Sequence, residues 1–207
     1  MDVDIAKDLA EQMKVKLTLV AVPTAPDRIN FLVAGKIDVA ISNFTATVER
    51  SKTITFTEPY VIDGFGVIFN KTAKIKDWPD LNGKKVAVTT GSTGEILAVA
   101  EGAEGDGPPL RPGLAPRSSR SSRGKADAQI EDYTYTVYHA GRDPKKALGF
   151  IEKPFDLNPY SFGVRKGDQE WLNFLNFYIY KLHQSGKMKE LYKKWFNAEP
   201  AKVAPSW

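Results

Sequence analysis

Between Asp2 and Ile41 the hydrophobic period of the chain switches from helical to strand-like and back again, and this alternation restricts the fold more than any other feature. Residues 2–13 (DVDIAKDLAEQM) set Val3, Ile5, Ala6, Leu9 and Met13 on one helical face, and VKLTLVAV over 15–22 alternates as a strand does. PDRINFLVA over 26–34 returns to helical spacing, with proline in the first turn and Gly35 as the stop. Residues 37–41 form a short apolar run of the kind buried in a parallel sheet. Helix, strand, helix and strand at this pitch predict an α/β layered fold. The series resumes with KKVAV (84–88), the helix-start signal STGE (92–95), a strand over 128–130 and a tyrosine-rich helix after Asp132. The C-terminal third is predicted helical, with Trp171, Leu172, Leu175, Tyr178, Ile179 and Leu182 as one apolar stripe and a second helix over 186–196.

GKIDVAI (35–41) and GKADAQI (124–130) share Gly-Lys-x-Asp-x-x-Ile, each at a helix-to-strand junction. Polar pairs follow both, Ser42-Asn43 and Glu131-Asp132. Either Gly-Lys is simply a common helix stop, or the chain holds two similar α/β lobes that present polar groups where ligands of open α/β sheets sit. The stretch 99–123 interrupts this pattern with four Pro, four Gly and no aromatic residue, and is expected to be irregular. It replaces an expected strand and helix. A second reading frame can encode such elements there, so two compensating frameshifts are expected to bracket the stretch, a point that the gene sequence decides.

Composition removes whole classes of function. The 207 residues contain no Cys, which excludes disulfides, thiolate metal sites and a cysteine nucleophile. The two histidines, His139 and His183, lie far apart in sequence and are expected at the surface, so neither a metal nor another cofactor is predicted. No run approaches the roughly eighteen apolar residues of a membrane-spanning helix. The 29 Lys and Arg against 25 Asp and Glu leave a net charge of +4, but acidic residues are interspersed throughout and no nucleic-acid partner is expected. The opening residues Met1-Asp2-Val3-Asp4 carry none of the regions of a signal peptide.

Three polar constellations remain. ISNFTATVERSKTITFTEPY (41–60) combines Ser42, Asn43 and Thr45 with Arg50. Clustered hydroxyls with one guanidinium suit a carboxylate, because the arginine offers a fork of donors. A solvated turn in which Thr47 caps a helix and Arg50 pairs with Glu49 or Glu58 explains the same residues. TTGSTGE (89–95) holds a capping box, Ser92 to Glu95, whose open backbone N–H groups take an anion or merely start a helix. EDYTYTVY (131–138) places Asp132 at a strand end, as a ligand group or as an N-cap. No Ser–His–Asp arrangement or catalytic carboxylate pair is evident, and the aromatic residues of 171–180 are expected in the core.

DVDIAKDLAEQ, FLVAGKIDVAISNFTATVERSKTITFTEPY, LNGKKVAVTTGSTGE, GKADAQIEDY and PYSFGVRKGDQEW together closely resemble the periplasmic polar amino-acid-binding proteins of bacterial ABC importers, solute-binding family 3. The resemblance spans 2–98 and 124–197 and implies a two-lobed, type II periplasmic-binding fold with two hinge strands. Lobe one would be 1–62 with 164–207 and lobe two 63–163, and the family's first lobe-one strand, which precedes DVDIA, is expected to be missing. By the same resemblance Arg50 grips the ligand carboxylate, while Asn43 and Thr45 contact the ligand and Thr93 also holds the carboxylate. Asp132 takes the ammonium and Arg28 lines the side-chain pocket. The implied partners are a polar L-amino acid and an ABC permease, the implied state a monomer and the implied location the periplasm. The alternatives are a small-carboxylate dehydratase on the same fold, with Glu131 as its acid or base, and the ligand-sensing domain of a receptor.

Overall fold

The first helical period folds over the span that its spacing predicts. In the computed structural model, which describes residues 1–89, 91–102, 126–201 and 203, α1 covers Asp2–Met13. Its buried face is Ile5, Leu9 and Ala10, narrower than the predicted stripe, since Val3 and Met13 stay 48% and 37% exposed. Helix α2 (Ala25–Val33) starts on Thr24, whose hydroxyl accepts from the Asp27 N–H, and has Pro26 in its first turn. It stops before Gly35, which takes a φ of +65° that glycine tolerates without strain.

Two expected strands of the first forty-odd residues do not form as such. Residues 15–22 are in neither helix nor ladder, and Val15, Leu19 and Val20 are exposed. Strand-like alternation specifies faces, whereas a strand exists only where a neighbouring backbone edge offers partners. Residues 37–41 contribute one antiparallel bridge, Ala40 to Gly163, rather than a parallel strand.

Downstream, α3 (Val48–Ser51) is a single turn capped by Thr47, and the long strand β1 follows over Thr55–Asn70. Then come β2 (Val86–Ala87), α4 (Thr93–Gly102), β3 (Ala128–Asp132), α5 (Tyr133–Gly141), β4 (Leu148–Phe150) and β5 (Phe155–Val164). Helices α6 (Gln169–Gln184) and α7 (Lys187–Phe196) close the sequence of elements. The stretch expected to be irregular begins as the last turn of α4, and 103–125 lie outside the described residues, as does any frameshift product there.

The chain divides into two compact units, Met1–Ile62 with Asn158–Trp207, and Asp63–Leu157. β1 and β5 each run through a division point. In unit one, Ile5 and Leu9 of α1 pack with Tyr60, Tyr160, Phe162 and the α6 residues Leu175, Ile179 and Leu182. Each such aliphatic side chain contributes about 1.5–3 kcal/mol when fully buried. A second cluster gathers Ala25, Leu32, Ala40, Phe44 and Ile54. His183, expected at the surface, is half-buried: its Nε2 lies 2.9 Å from the Tyr60 carbonyl, and burial lowers its pKa. His139 is likewise half-buried beside Tyr135 and Tyr138. The aromatic residues of α6 divide between environments, because Tyr178 is buried whereas Phe174 and Phe177 are 40% and 56% exposed.

In unit two the sheet runs β2-β3-β1-β4, with β2 parallel to β3 and β1 antiparallel to both β3 and β4. Residues 63–69 of β1 are buried without a break, as in a strand covered on both faces. Phe65, Val67 and Phe69 pack with Val88, Ala128, Ile130 and Ile151.

Candidate functional site

The first polar constellation is shaped by an irregular strand pairing. Ala40 bridges Gly163 and Thr45 bridges Tyr160, so five steps along one segment oppose three along the other. The excess is taken up around Ser42 and Asn43, and Asn43 has a φ of +47°, a left-handed turn that asparagine tolerates. The Tyr60 hydroxyl accepts from the Asn43 N–H at 3.1 Å and donates to Asp2 at 3.1 Å. The bulge leaves Phe44 fully buried and Thr45 nearly so, while Ser42 Oγ is buried with no hydrogen-bond partner.

Two guanidinium groups approach the ring of Phe44. The Arg50 carbon Cζ stands 5.0 Å from the ring centroid and that of Arg28 5.6 Å, both within reach of a cation–π attraction. Arg50 Nη1 donates to the Thr45 carbonyl at 2.7 Å, and Arg28 Nε to the Val22 carbonyl at 3.3 Å. Backbone bonds therefore aim both cations, while Glu49, a suggested partner of Arg50, pairs with Lys52 instead. Thr47 does cap α3, accepting from the Arg50 N–H at 3.2 Å, so the helix cap and the cationic cluster occupy the same turn. Arg28, Asn43, Thr45 and Arg50 are thus brought together around a phenylalanine whose part the sequence reading missed. Its only signal was its place between Asn43 and Thr45.

Unit two offers a helix start and a strand end. Ser92 Oγ accepts from the Glu95 N–H at 3.1 Å, and Glu95 accepts from the Gly91 N–H at 2.7 Å, which makes the predicted cap and places Thr93 as the first residue of α4. Thr89 donates to Glu131 at 2.7 Å, tying the approach to α4 to β3, and the Gln129 amide donates to the same oxygen at 3.2 Å. One position further, Asp132 ends β3 and occupies the N-cap of α5, yet its side chain makes no capping bond. That bond comes from Asp63 on β1, whose Oδ2 accepts from the Thr134 N–H at 3.1 Å and its hydroxyl at 2.6 Å. Asp63 escaped the sequence reading because its partner is 71 positions away.

Among the described residues no group of three or more His, Asp or Glu side chains is placed to hold a metal ion, and no helix is long and apolar enough to cross a membrane.

An open-sheet α/β chain that twice crosses between two units, with cations at one polar cluster and carboxylates at another, is built as a two-lobed receptor of the periplasmic-binding kind. The chain belongs to the bacterial extracellular solute-binding proteins, family 3, whose pattern matches residues 1–198. It is 29% identical over 203 residues to the ABC transporter glutamine-binding protein GlnH of Bacillus subtilis, covering 97% of this chain and 73% of that protein. Its fold is similar to that of an ancestral arginine-binding protein bound to arginine, with a TM-score of 0.83, 31% identity, and coverage of 94% of this chain and 87% of that one. An ancestral amino acid-binding protein described as a precursor of cyclohexadienyl dehydratase superposes with a TM-score of 0.82 at 33% identity, covering 94% of this chain and 84% of that one.

Proposed function

We propose that this chain captures a polar L-amino acid in the periplasm and delivers it, unchanged and as a monomer, to an ABC permease in the membrane. The two units act as lobes that hold the ligand. The observation that carries the reading is the chemistry of the two clusters, an arginine pair around Phe44 in unit one and the Asp132 carboxylate at the head of α5 in unit two. A zwitterion needs one fixed cation, one fixed anion and neutral donors.

Arg50 takes the α-carboxylate, helped by Ser42, Asn43 and Thr45 and by Ser92 and Thr93 at the start of α4. Asp132 takes the α-ammonium, and Arg28 lines the side-chain pocket. The names of the relatives, receptors for glutamine and arginine among them, support an amino acid as ligand. A dehydratase would need an acid or base, and Glu131, the candidate for it, is buried and accepts from Thr89 and Gln129 through Oε1.

Titration calorimetry of the purified chain against a panel of L-amino acids and their α-amides tests the reading. One amino acid should bind stoichiometrically without turnover, and its α-amide far more weakly. Arg50→Ala and Asp132→Asn should each lose about 2–5 kcal/mol, because one charged end of a desolvated ligand is left unpaired. Lysine at position 50 should restore affinity only in part, since it lacks the fork. Lys189→Ala, on an exposed ion pair with Glu199, should change affinity less than about twofold. Undiminished binding by Asp132→Asn would refute the assignment.

A further inference from the structure

Glu131 has no ligand group to hold in the amino-acid reading, yet folding leaves it only 8% exposed. A buried carboxylate is costly unless donors meet it, and the strand pairing supplies two. β2 runs parallel to β3, with Val86 beside Ala128 and Ala87 beside Gln129. The same register carried two residues further sets Thr89 beside Glu131, on the face that Gln129 shares. Glu131 Oε1 accepts from the Thr89 hydroxyl at 2.7 Å and from the Gln129 amide at 3.2 Å, and Gln129 is itself 2% exposed. The carboxylate is thus held by neighbours on its own sheet.

Thr89 carries that hold out of the sheet. Its carbonyl accepts from the Ser92 N–H at 3.0 Å, at the approach to α4. Gly91, with a φ of +72°, donates its N–H to Glu95 at 2.7 Å, which ties the first turn of α4 to the same approach. Gly94 lies against β3 as well, since a Cβ added there would stand 3.3 Å from Ile130 Cγ2. The hydroxyl of Thr89 is therefore fixed to the strand that ends at Asp132, and its carbonyl to the helix start assigned to the ligand carboxylate.

We propose that Glu131 is a positioning residue: by accepting from Thr89 it holds Ser92 and Thr93 at the start of α4 in the geometry that receives the ligand α-carboxylate, before the ligand arrives. The proposal rests on the amino-acid reading given above. A helix start fixed in advance loses less conformational freedom on binding, so the contribution appears in affinity.

The full chain and its variants are titrated calorimetrically with L-glutamine, L-glutamate, L-arginine, L-lysine and L-histidine. The amino acid that binds is then compared with its α-amide by competition. Thr89→Val keeps the size of the side chain but removes the donor, and should weaken the amino acid by about three- to tenfold, the cost of ordering the helix start during binding. Thr89→Ser restores the donor and should bring affinity back to within about twofold of the parent. Glu131→Gln keeps an oxygen for Thr89 and should lose less than Glu131→Asp, whose oxygen is one methylene short. Thr89→Val combined with Glu131→Asp should lose no more than either alone, because both cut one link. The α-amide brings no anion to the start of α4 and should bind the parent and Thr89→Val alike, whereas a merely structural role would weaken both ligands together. Should Glu131→Asp not fold, the two Thr89 variants decide. Affinity of Thr89→Val equal to the parent, an equal loss in Thr89→Ser or an equal loss of the α-amide overturns this proposal alone. Binding of no amino acid in the panel by the parent overturns the functional reading and this proposal with it.

Discussion

Replacing Gly66 by alanine isolates the contact on which the head of α5 rests. Gly66 lies in β1 opposite Glu131, with an ordinary φ, so nothing in its backbone demands glycine. An added Cβ would stand 2.6 Å from Thr136 Oγ1, 2.8 Å from Tyr133 Cα and 2.9 Å from Thr136 Cγ2. Carbon atoms in good contact keep about 3.5–4.0 Å, and the Tyr133 atom is backbone, so relief requires α5 itself to move by several tenths of an ångström. Alanine gains about 0.4–1 kcal/mol by restricting the unfolded chain, whereas overpacking of a core costs about 1–3 kcal/mol. The clash wins, and Gly66→Ala should destabilise by about 1–2 kcal/mol. Because the moved segment carries Thr134 and adjoins Asp132, ligand affinity should fall as well. Gly141→Ala at the far end of α5 is the control, since nothing lies within 4 Å of its added Cβ and its φ is ordinary. Urea unfolding with an unchanged m-value reads both variants. Equal stability of Gly66→Ala and the parent would refute the assigned contact.

Stability should also report the state of Asp63. Its folded pKa of about 6 lies above its unfolded 3.8, so its contribution is complete below about pH 4 and is lost as pH rises through 6, at most about 3 kcal/mol. His139 and His183, with lowered pKa values, tilt stability the opposite way over part of that range, so the difference between parent and Asp63→Asn in denaturant midpoint from about pH 4.5 to 7.5 is the measurement, and parallel curves would exclude the effect. Phe44→Leu keeps the core filled but removes the ring that Arg28 and Arg50 approach. It should cost about 1 kcal/mol of stability and lower affinity by about five- to thirtyfold, whereas unchanged affinity would show that the ring does not orient the guanidinium groups.

The helices were legible in the sequence because their signals are local. The cap at Thr24, the box from Ser92 to Glu95, the stop at Gly35 and the stripe from Leu175 to Leu182 act within a few residues of chain, and each appears where its residues predict. Family membership was legible for a related reason, since contiguous motifs such as SNFTATVER carry it and need no partner. What the sequence could not supply is pairing. VKLTLVAV alternates as well as any strand, but a ladder needs a second edge, and residues 15–22 stand in none. Residues 40 to 45 owe their bulge to the spacing of Gly163 and Tyr160, more than a hundred positions downstream. Phe44 became a centre for two arginines only when α2 and α3 were packed against it, and Asp63 became the cap of α5 only through the register of β1 with β3. Residue types determine which groups are available to a ligand, but long-range packing decides which of them meet, because contact energies fall off within a few ångströms whereas the partners lie tens of residues apart.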